Sequence, residues 1–90
     1  MTVWLNVKGE PGYQVSSDGE IKNIKSGRIL KTHLNRPGGV KRVTMNGKHK
    51  YVHRVVADTF FAVGVEKSSK VVHIDGNNLN NKVSNLQIVE

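Results

Sequence analysis

The sequence predicts an α+β fold, in which a small antiparallel β-sheet with one packed helix is followed by a β-hairpin. Three observations support this prediction. Apolar residues in positions 1–51 form short alternating runs that turn residues interrupt, which is typical of strands. Apolar residues three and four apart are clear in one segment, which begins at Val52 or His53 and indicates a helix. Segment 70–90 has two apolar runs on either side of an asparagine-rich loop, which favours a hairpin.

Short strands are predicted in the first part of the chain at 3–5, 12–15, 20–24 and 28–31. Gly19, in the turn before the third of these strands, can adopt a positive φ. Gly27 lies in the turn before the fourth. Because side chains alternate along a strand, we expect Ile21 and Ile29 to point inward and the basic side chains to gather outside.

A second hairpin is predicted from strands 40–45 and 48–52, joined by Asn46 and Gly47. Asn-Gly between alternating runs is the strongest short-range hairpin signal. A two-stranded basic ribbon is narrow enough to enter the major groove of duplex DNA and read base edges. The alternative is a hairpin that touches only phosphates or nothing, since half or more of protein contacts to DNA go to the backbone.

The helix is predicted to run to about Ala62 and to pack on the sheet through Val52, Val55, Val56 and Phe60, with Phe61 also in the core. A connection at 63–70, containing Gly64, Ser68 and Ser69, then leads into the tail. We therefore divide the chain into 1–62 and 63–90, and expect the two parts to form one compact unit.

The tail is predicted as strands 71–74 and 86–89 around a loop that contains Asp75, Gly76 and several asparagines. Asparagine and aspartate side chains form hydrogen bonds with their own nearby backbone, so such a loop can be compact without an apolar core. The residues alone favour a simple interpretation. His73 would be a partly buried strand histidine, and Asn85 would hold the loop together.

The chain has 90 residues, which is enough for one small domain that buries roughly 60% of its unfolded surface. It contains no cysteine, so disulfides and thiolate metal sites are excluded. No apolar run approaches the ~20 residues of a membrane span, and the N-terminus lacks the order of a secretory signal. We expect an intracellular protein.

The formal net charge is +7, and residues 21–57 contain no acidic side chain. The basic residues of this span are Lys22, Lys25, Arg28, Lys31, Arg36, Lys41, Arg42, Lys48, Lys50 and Arg54. Such a span favours a polyanion through counterion release. Nucleic acid is therefore the leading predicted partner. The alternative is an ordinary solvated surface that happens to be basic.

Several motifs, in one order over nearly the whole chain, resemble the phage-type HNH homing endonucleases whose N-terminal part is a nuclease-associated modular DNA-binding sheet. The motifs are Trp4, Gly12-Tyr13-Gln14-Val15-Ser16, Gly19-Glu20-Ile21, Ser26-Gly27-Arg28-Ile29-Leu30-Lys31, Val52-His53-Arg54-Val55-Val56-Ala57, Phe60, His73-Ile74-Asp75-Gly76-Asn77, Asn80-Asn81 and Ser84-Asn85-Leu86. In that family the hairpin is the first half of a ββα-metal motif. The resemblance also favours a phage source and double-stranded DNA as the partner, in the cytoplasm of the host cell.

The resemblance implies a site that nicks or cuts DNA with one divalent cation, usually Mg²⁺ or Mn²⁺. His73 matches the general base that activates the attacking water. Asn85 matches the residue that orients that histidine. By the same resemblance, the metal would stabilise charge on the phosphate and the leaving oxygen.

Two departures from the family pattern concern the metal. Val72 stands where the family commonly has Asp or another ligand, and the sequence ends at Glu90, before a closing helix that would carry a second ligand. Asp75, two residues from His73 on the same side of a strand, is the nearest candidate carboxylate. We therefore expect a DNA-binding protein whose centre keeps the general base but lacks metal ligands.

Two alternatives stay open from the sequence. One is an active minimal nickase, in which a homodimer partner supplies the missing ligand or Asp75 and the terminal carboxylate replace it. The other is an inhibitor whose basic sheet docks on a host or competing protein. The nickase predicts metal-dependent cleavage, and the inhibitor predicts poor affinity for DNA.

Overall fold

The computed structural model of the protein describes residues 2–61 and 70–89. In chain order its elements are β1 (Trp4–Asn6), β2 (Tyr13–Ser16), β3 (Ile21–Asn23), β4 (His33–Leu34), β5 (Lys41–Met45), β6 (Lys48–Tyr51), α1 (Val52–Phe60), β7 (Lys70–His73), a 3₁₀ turn (Val83–Asn85) and β8 (Leu86–Val89). The antiparallel strands form sheets β1-β2-β3 and β4-β5-β6 and a two-stranded hairpin β7-β8. The predicted α+β class with antiparallel sheets and one helix is confirmed within these residues.

The first sheet buries one face through Val15, which pairs with Ile21. Lys22 lies on the other face, with its Nζ 4.2 Å from the centre of the Trp4 ring, a cation–π contact. The predictions that Ile21 points inward and that Lys22 points outward are confirmed.

The prediction for Ile29 is wrong, because this side chain is 48% exposed. Residues 28–31 make only an isolated bridge, in which Ile29 stands opposite Lys22. Residues opposite each other share a face, so this register turns Ile29 outward with Lys22. Leu30 packs against the core instead.

The second sheet confirms the predicted Asn-Gly hairpin. Asn46 and Gly47 have φ of 51° and 76°, and two positive φ values are those of a type I′ turn. Val43 and Met45 of β5 are fully buried. Strand β4, which was not predicted, is only two residues long and too short to show alternation.

Helix α1 follows β6 directly and buries Val52, Val55, Val56 and Ala57. It contacts strands of both sheets and both strands of the hairpin, so it lies at the centre of the fold. Phe60 and Phe61 are partly buried against the core, as predicted. The predicted helix end at Ala62 and the boundary between 62 and 63 lie outside the described residues.

The hairpin β7-β8 pairs from Lys70 with Val89 to His73 with Leu86, which confirms both predicted strands. Leu86 is buried in the same cluster as the core of the two sheets. None of the helices in the described part of the chain is long and apolar enough to cross a membrane.

Candidate active site and DNA-binding surface

His73 is the last residue of β7, and its ring is held by the loop that follows. Its Nε2 lies 2.7 Å from Oδ1 of Asn81. The Asn81 side chain is buried, at 4% exposure. Among the described residues, Nδ1 of His73 has no hydrogen-bond partner. An imidazole held by one nitrogen and open at the other is suited to take or give a proton.

The Asn85 amide is directed at the Asp75 loop and not at His73. Its Oδ1 accepts from the Asp75 backbone N–H at 3.1 Å, and its Nδ2 donates to Asp75 Oδ1 at 2.9 Å and to the Asn80 carbonyl at 2.9 Å. The Asn85 carbonyl accepts from the Ile74 N–H, next to His73. The Asn85 side chain thus makes no hydrogen bond to the His73 ring. That Asn85 orients His73 stays a prediction. The 3₁₀ turn brings Asn85 to the loop, and Asn81 occupies the position beside the ring.

Asp75, the candidate metal ligand, is the centre of the loop. Its carboxylate accepts from the Asn80 side chain at 3.0 Å, from the Asn77 backbone N–H at 2.7 Å and from Asn85. These hydrogen bonds, that of the Asn80 side chain first, lower the pKa of Asp75 from its ordinary value. The carboxylate is ionised at neutral pH, and its oxygens are already used by the loop.

The donor set around His73 does not fit a divalent cation. Val72 offers no ligand atom, and both carboxylate oxygens of Asp75 are engaged. Within residues 2–61 and 70–89, no group of three or more His, Cys, Asp and Glu side chains is placed to hold a metal ion. Mg²⁺ prefers oxygen ligands, typically one or two carboxylates together with substrate phosphates and water.

A second imidazole lies against His73. His53, on helix α1, has its ring centre 5.2 Å from that of His73, and the Tyr51 ring lies 5.8 Å from His53 on the other side. Burial first, and then the charges of His73 and Arg54, lower the pKa of His53 to about 4. His53 is thus neutral at physiological pH. Its Nδ1 is buried without a partner among the described residues.

The turn before β3 packs against the backbone of Asn81 through Gly19. A β-carbon on Gly19 would lie 2.7 Å from the Asn81 carbonyl oxygen, and Gly19 has a φ of 90°. The Val83 N–H donates to the Ser17 carbonyl at 2.9 Å. The first sheet and the loop after β7 are therefore in direct backbone contact.

The predicted DNA-binding residues are spread over two sheets and their loops. Lys22 is on β3; Lys25, Arg28, Lys31 and Arg36 are on loops; Lys41 and Arg42 are on β5; Lys48 and Lys50 are on β6; Arg54 is on α1. The pairings of Arg42 with Tyr51 and of Thr44 with His49 put these four side chains on the outer face of the second sheet. Arg42, His49, Lys50 and Tyr51 line one shallow groove there.

Two of these basic residues lie near carboxylates. Lys48 Nζ is 4.0 Å from the buried Glu10, and Arg54 Nε is 3.5 Å from Asp58. Their positive charges are partly offset, so we expect them to contribute less to binding an anion than Arg42 does.

Comparison with known proteins accounts for almost the whole chain. The family model described as the NUMOD4 motif matches residues 3–46, and that described as HNH endonuclease matches residues 50–90. The chain belongs to the HNH homing endonuclease family. The resemblance inferred from the motifs is thus confirmed.

The relatives of this chain are HNH endonucleases of viruses. The DNA endonuclease I-HmuI of Bacillus phage SP01 is 42% identical over 91 residues, which cover 96% of this chain and 51% of the phage protein. The uncharacterised HNH endonuclease L245 of Acanthamoeba polyphaga mimivirus is 36% identical, over 97% of this chain and 27% of its own length. This chain thus spans about half the length of I-HmuI and about a quarter of the mimivirus protein.

A solved structure shares the fold. The structure of I-HmuI, described as showing DNA binding and cleavage by that HNH homing endonuclease, matches with a TM-score of 0.79 and 42% identity. The match covers 97% of this chain and 52% of the other. This chain therefore shares its fold with a relative whose structure is described in terms of DNA binding and cleavage.

Three residues of the site lie in the family motifs but were given no role in it from the sequence. Asn81 is one of several neighbouring asparagines, and nothing in the local pattern says which of them faces His73. His53 reads as one more basic residue before an apolar helix face. Gly19 was given a role only in its turn, whereas its contact with Asn81 joins residues far apart in the chain.

Proposed function

We propose that the protein binds duplex DNA through the basic surface of its sheets, and that its HNH centre keeps the general base His73 but lacks a full set of metal ligands, so that binding is strong and cleavage weak. The observation that carries the proposal is a continuous row of side chains. Arg42 and Tyr51 share the outer face of the second sheet, and Tyr51, His53 and His73 follow in ring contact.

This row gives a phosphodiester backbone a path from the sheet to the imidazole. Arg42 can bind a phosphate through two N–H groups, and the exposed Tyr51 can contact sugar or base. The net charge of +7 adds attraction that does not depend on sequence. Double-stranded DNA as partner is also in keeping with I-HmuI, whose solved structure is described in terms of DNA binding and cleavage.

His73 would act at the end of this path by holding or moving a proton at Nδ1. A neutral imidazole in that position can take a proton from a water that attacks phosphorus. In the family a divalent cation supplies the charge stabilisation at the phosphate. Because Val72 and the engaged Asp75 do not fit such an ion, we assign this chain the proton-transfer group without the metal.

The test combines binding and cleavage on the same DNA. A gel shift of linear duplex in EDTA, at 50 and 200 mM salt, should show affinity that falls steeply as salt rises. Supercoiled plasmid incubated with Mg²⁺ or Mn²⁺ should remain almost un-nicked, by wild type and by His73→Ala alike. Both variants should bind the linear duplex equally.

Two other outcomes would overturn the proposal. Nicking that depends on metal and disappears in His73→Ala would establish an active nuclease and refute the assignment of an incomplete centre. Absence of any salt-sensitive shift would refute DNA binding and direct attention to a protein target, as an inhibitor would have.

One observation favours the active nickase as the second candidate. The hydrogen bond from His73 to Asn81 is short, at 2.7 Å, and the free nitrogen is in place. A second copy of the chain could supply the oxygen ligands. If so, the nicking rate should rise with the square of protein concentration at low concentration, and a homodimer should appear in sedimentation experiments.

A further inference from the structure

We infer that Asn81 is the positioning residue for His73, that it selects Nδ1 as the basic nitrogen, and that Gly19 of the first sheet holds Asn81 in place. The inference rests on the proposed role of His73 as a general base. It gives the turn at Gly19, some sixty residues earlier in the chain, a role in positioning the His73 ring.

The chemistry follows from what an amide oxygen can do. Oδ1 of Asn81 only accepts hydrogen bonds, so Nε2 of His73, 2.7 Å away, must carry the proton in the bond. In the neutral ring the lone pair is then on Nδ1. Among the described residues that nitrogen has no partner, so it is the atom available to a water or a phosphate oxygen.

Neither of the other neighbours of His73 can make this choice. The Asn85 amide is spent on Asp75 and on the Asn80 carbonyl. The rings of His53 and His73 form a tilted pair, with centres 5.2 Å apart and an angle of 51° between their planes. Among the described residues, no hydrogen bond joins the two rings. His53 limits where the ring can move, whereas Asn81 sets its tautomer.

Asn81 is itself fixed by the turn of the first sheet. The Ser16 hydroxyl oxygen accepts from the N–H groups of Asp18 and Glu20, at 3.2 and 3.0 Å, so the turn is closed from inside. The Gly19 α-carbon leaves room for the Asn81 backbone only because it has no side chain, since a β-carbon would come within 2.7 Å of the Asn81 oxygen. Any larger residue there must move Asn81 and with it the acceptor of the His73 bond.

The experiment reads the tautomer of His73 directly, by long-range ¹H–¹⁵N NMR correlations of the full chain at a pH where the ring is neutral. Wild type should show His73 as the Nε2–H form. Asn81→Ala should give a mixture of tautomers. Asn81→Asp, which keeps an acceptor oxygen in the same place, should keep the Nε2–H form.

Gly19→Ala should also give the mixture, although it removes no atom from the site. Gly27→Ala is the matched control. Gly27 has a similar positive φ of 72°, and a β-carbon there would meet nothing within 4 Å, so it introduces the same backbone strain without the contact. It should leave the tautomer unchanged. Thermal unfolding shows which variants fold. If Gly19→Ala does not fold, Asn81→Ala still tests the inference.

The outcomes separate this inference from the proposed function. A wild-type ring in the Nδ1–H form, or an Asn81→Ala ring that keeps the Nε2–H form, would overturn the inference whatever the protein does to DNA. An unchanged tautomer in folded Gly19→Ala would overturn the role of the turn. Absence of DNA binding or of nicking affects only the proposed function, because the NMR measurement needs neither.

Discussion

The imidazole rings of His53 and His73 lie 5.2 Å apart, one on the helix that packs on both sheets and the other at the end of the hairpin strand. This contact joins the part of the chain that carries the basic sheets to the part that carries the proposed general base. Burial, and after it the charge of His73, disfavour a charge on His53. His53 therefore makes stability depend on pH.

We predict that His53 destabilises the fold in acid. Its folded pKa of about 4 is below the unfolded value near 6.5, so the unfolded state binds more protons between these values. The stability is fully present above pH 6.5 and is lost as the pH falls from 6.5 to 4. Discounted for partial exposure, the loss is about 1–2 kcal/mol. Chemical denaturation at pH 4.5, 5.5 and 7.5 measures it.

His53→Gln should remove this part of the pH dependence, because glutamine does not titrate. His33→Gln is the control, since His33 is exposed on β4. Curves of unfolding free energy against pH should be flatter for the first variant and unchanged in shape for the second. Parallel curves for wild type and His53→Gln would contradict the prediction.

We predict that Asp75 orders the hairpin loop. Asp75→Asn replaces one of the two acceptor oxygens with an N–H₂ group, which would face the donors of Asn77 and Asn85 or the donor of Asn80. The loop should therefore open more often. Hydrogen exchange of the Asn77 amide should become severalfold faster. Asp58→Asn, on the helix, is the control. Because the pKa of Asp75 is lowered, acid should open the loop of wild type as the pH falls through that pKa. An unchanged exchange rate of the Asn77 amide in Asp75→Asn would contradict the prediction that Asp75 orders the loop.

We predict that Val72→Asp creates a metal response. Val72 is 37% exposed, so a carboxylate is tolerated there, and it would add an oxygen ligand next to His73. Millimolar Mn²⁺ should raise the melting temperature of this variant by a few degrees and leave wild type unchanged. Ile74→Asp is the matched control, because residue 74 flanks His73 on its other side and is 61% exposed. Equal rises in melting temperature for the two variants would mean that any added negative charge binds Mn²⁺, and would contradict a site at residue 72.

How far the sequence predicted this structure depends on the range of each signal. The Asn46-Gly47 turn and helix α1 were predicted because their causes are local, a dipeptide in one case and apolar spacing in the other. Ile29 was placed on the wrong face because a register is set by the partner strand, and a shift of one residue reverses every side chain.

The candidate site shows the same limit. The position of His73 on a strand followed from the apolar run around it, although the strand was predicted to run to Ile74 and ends at His73. Its hydrogen-bond partner did not, because Asn81 and Asn85 have the same chemistry and differ only in where the 3₁₀ turn and the Gly19 contact place them. Those contacts are tertiary and leave no pattern in the neighbouring residues.

We predict, finally, that Arg42 is a principal phosphate contact of the proposed DNA surface. It lies on the exposed face of β5, paired with Tyr51, and both side chains line one groove. The Tyr51 ring in turn lies 5.8 Å from the ring of His53. Arg42→Gln should weaken binding to unrelated duplex sequences by a similar factor and reduce the slope of log K against log salt by about 0.9. Lys70→Gln loses the same charge at the far end of β7 from His73 and is the control. A gel-shift titration at four salt concentrations measures both slopes. If the two variants change the slope equally, net charge alone determines binding, and the path from the second sheet to His73 has no special role.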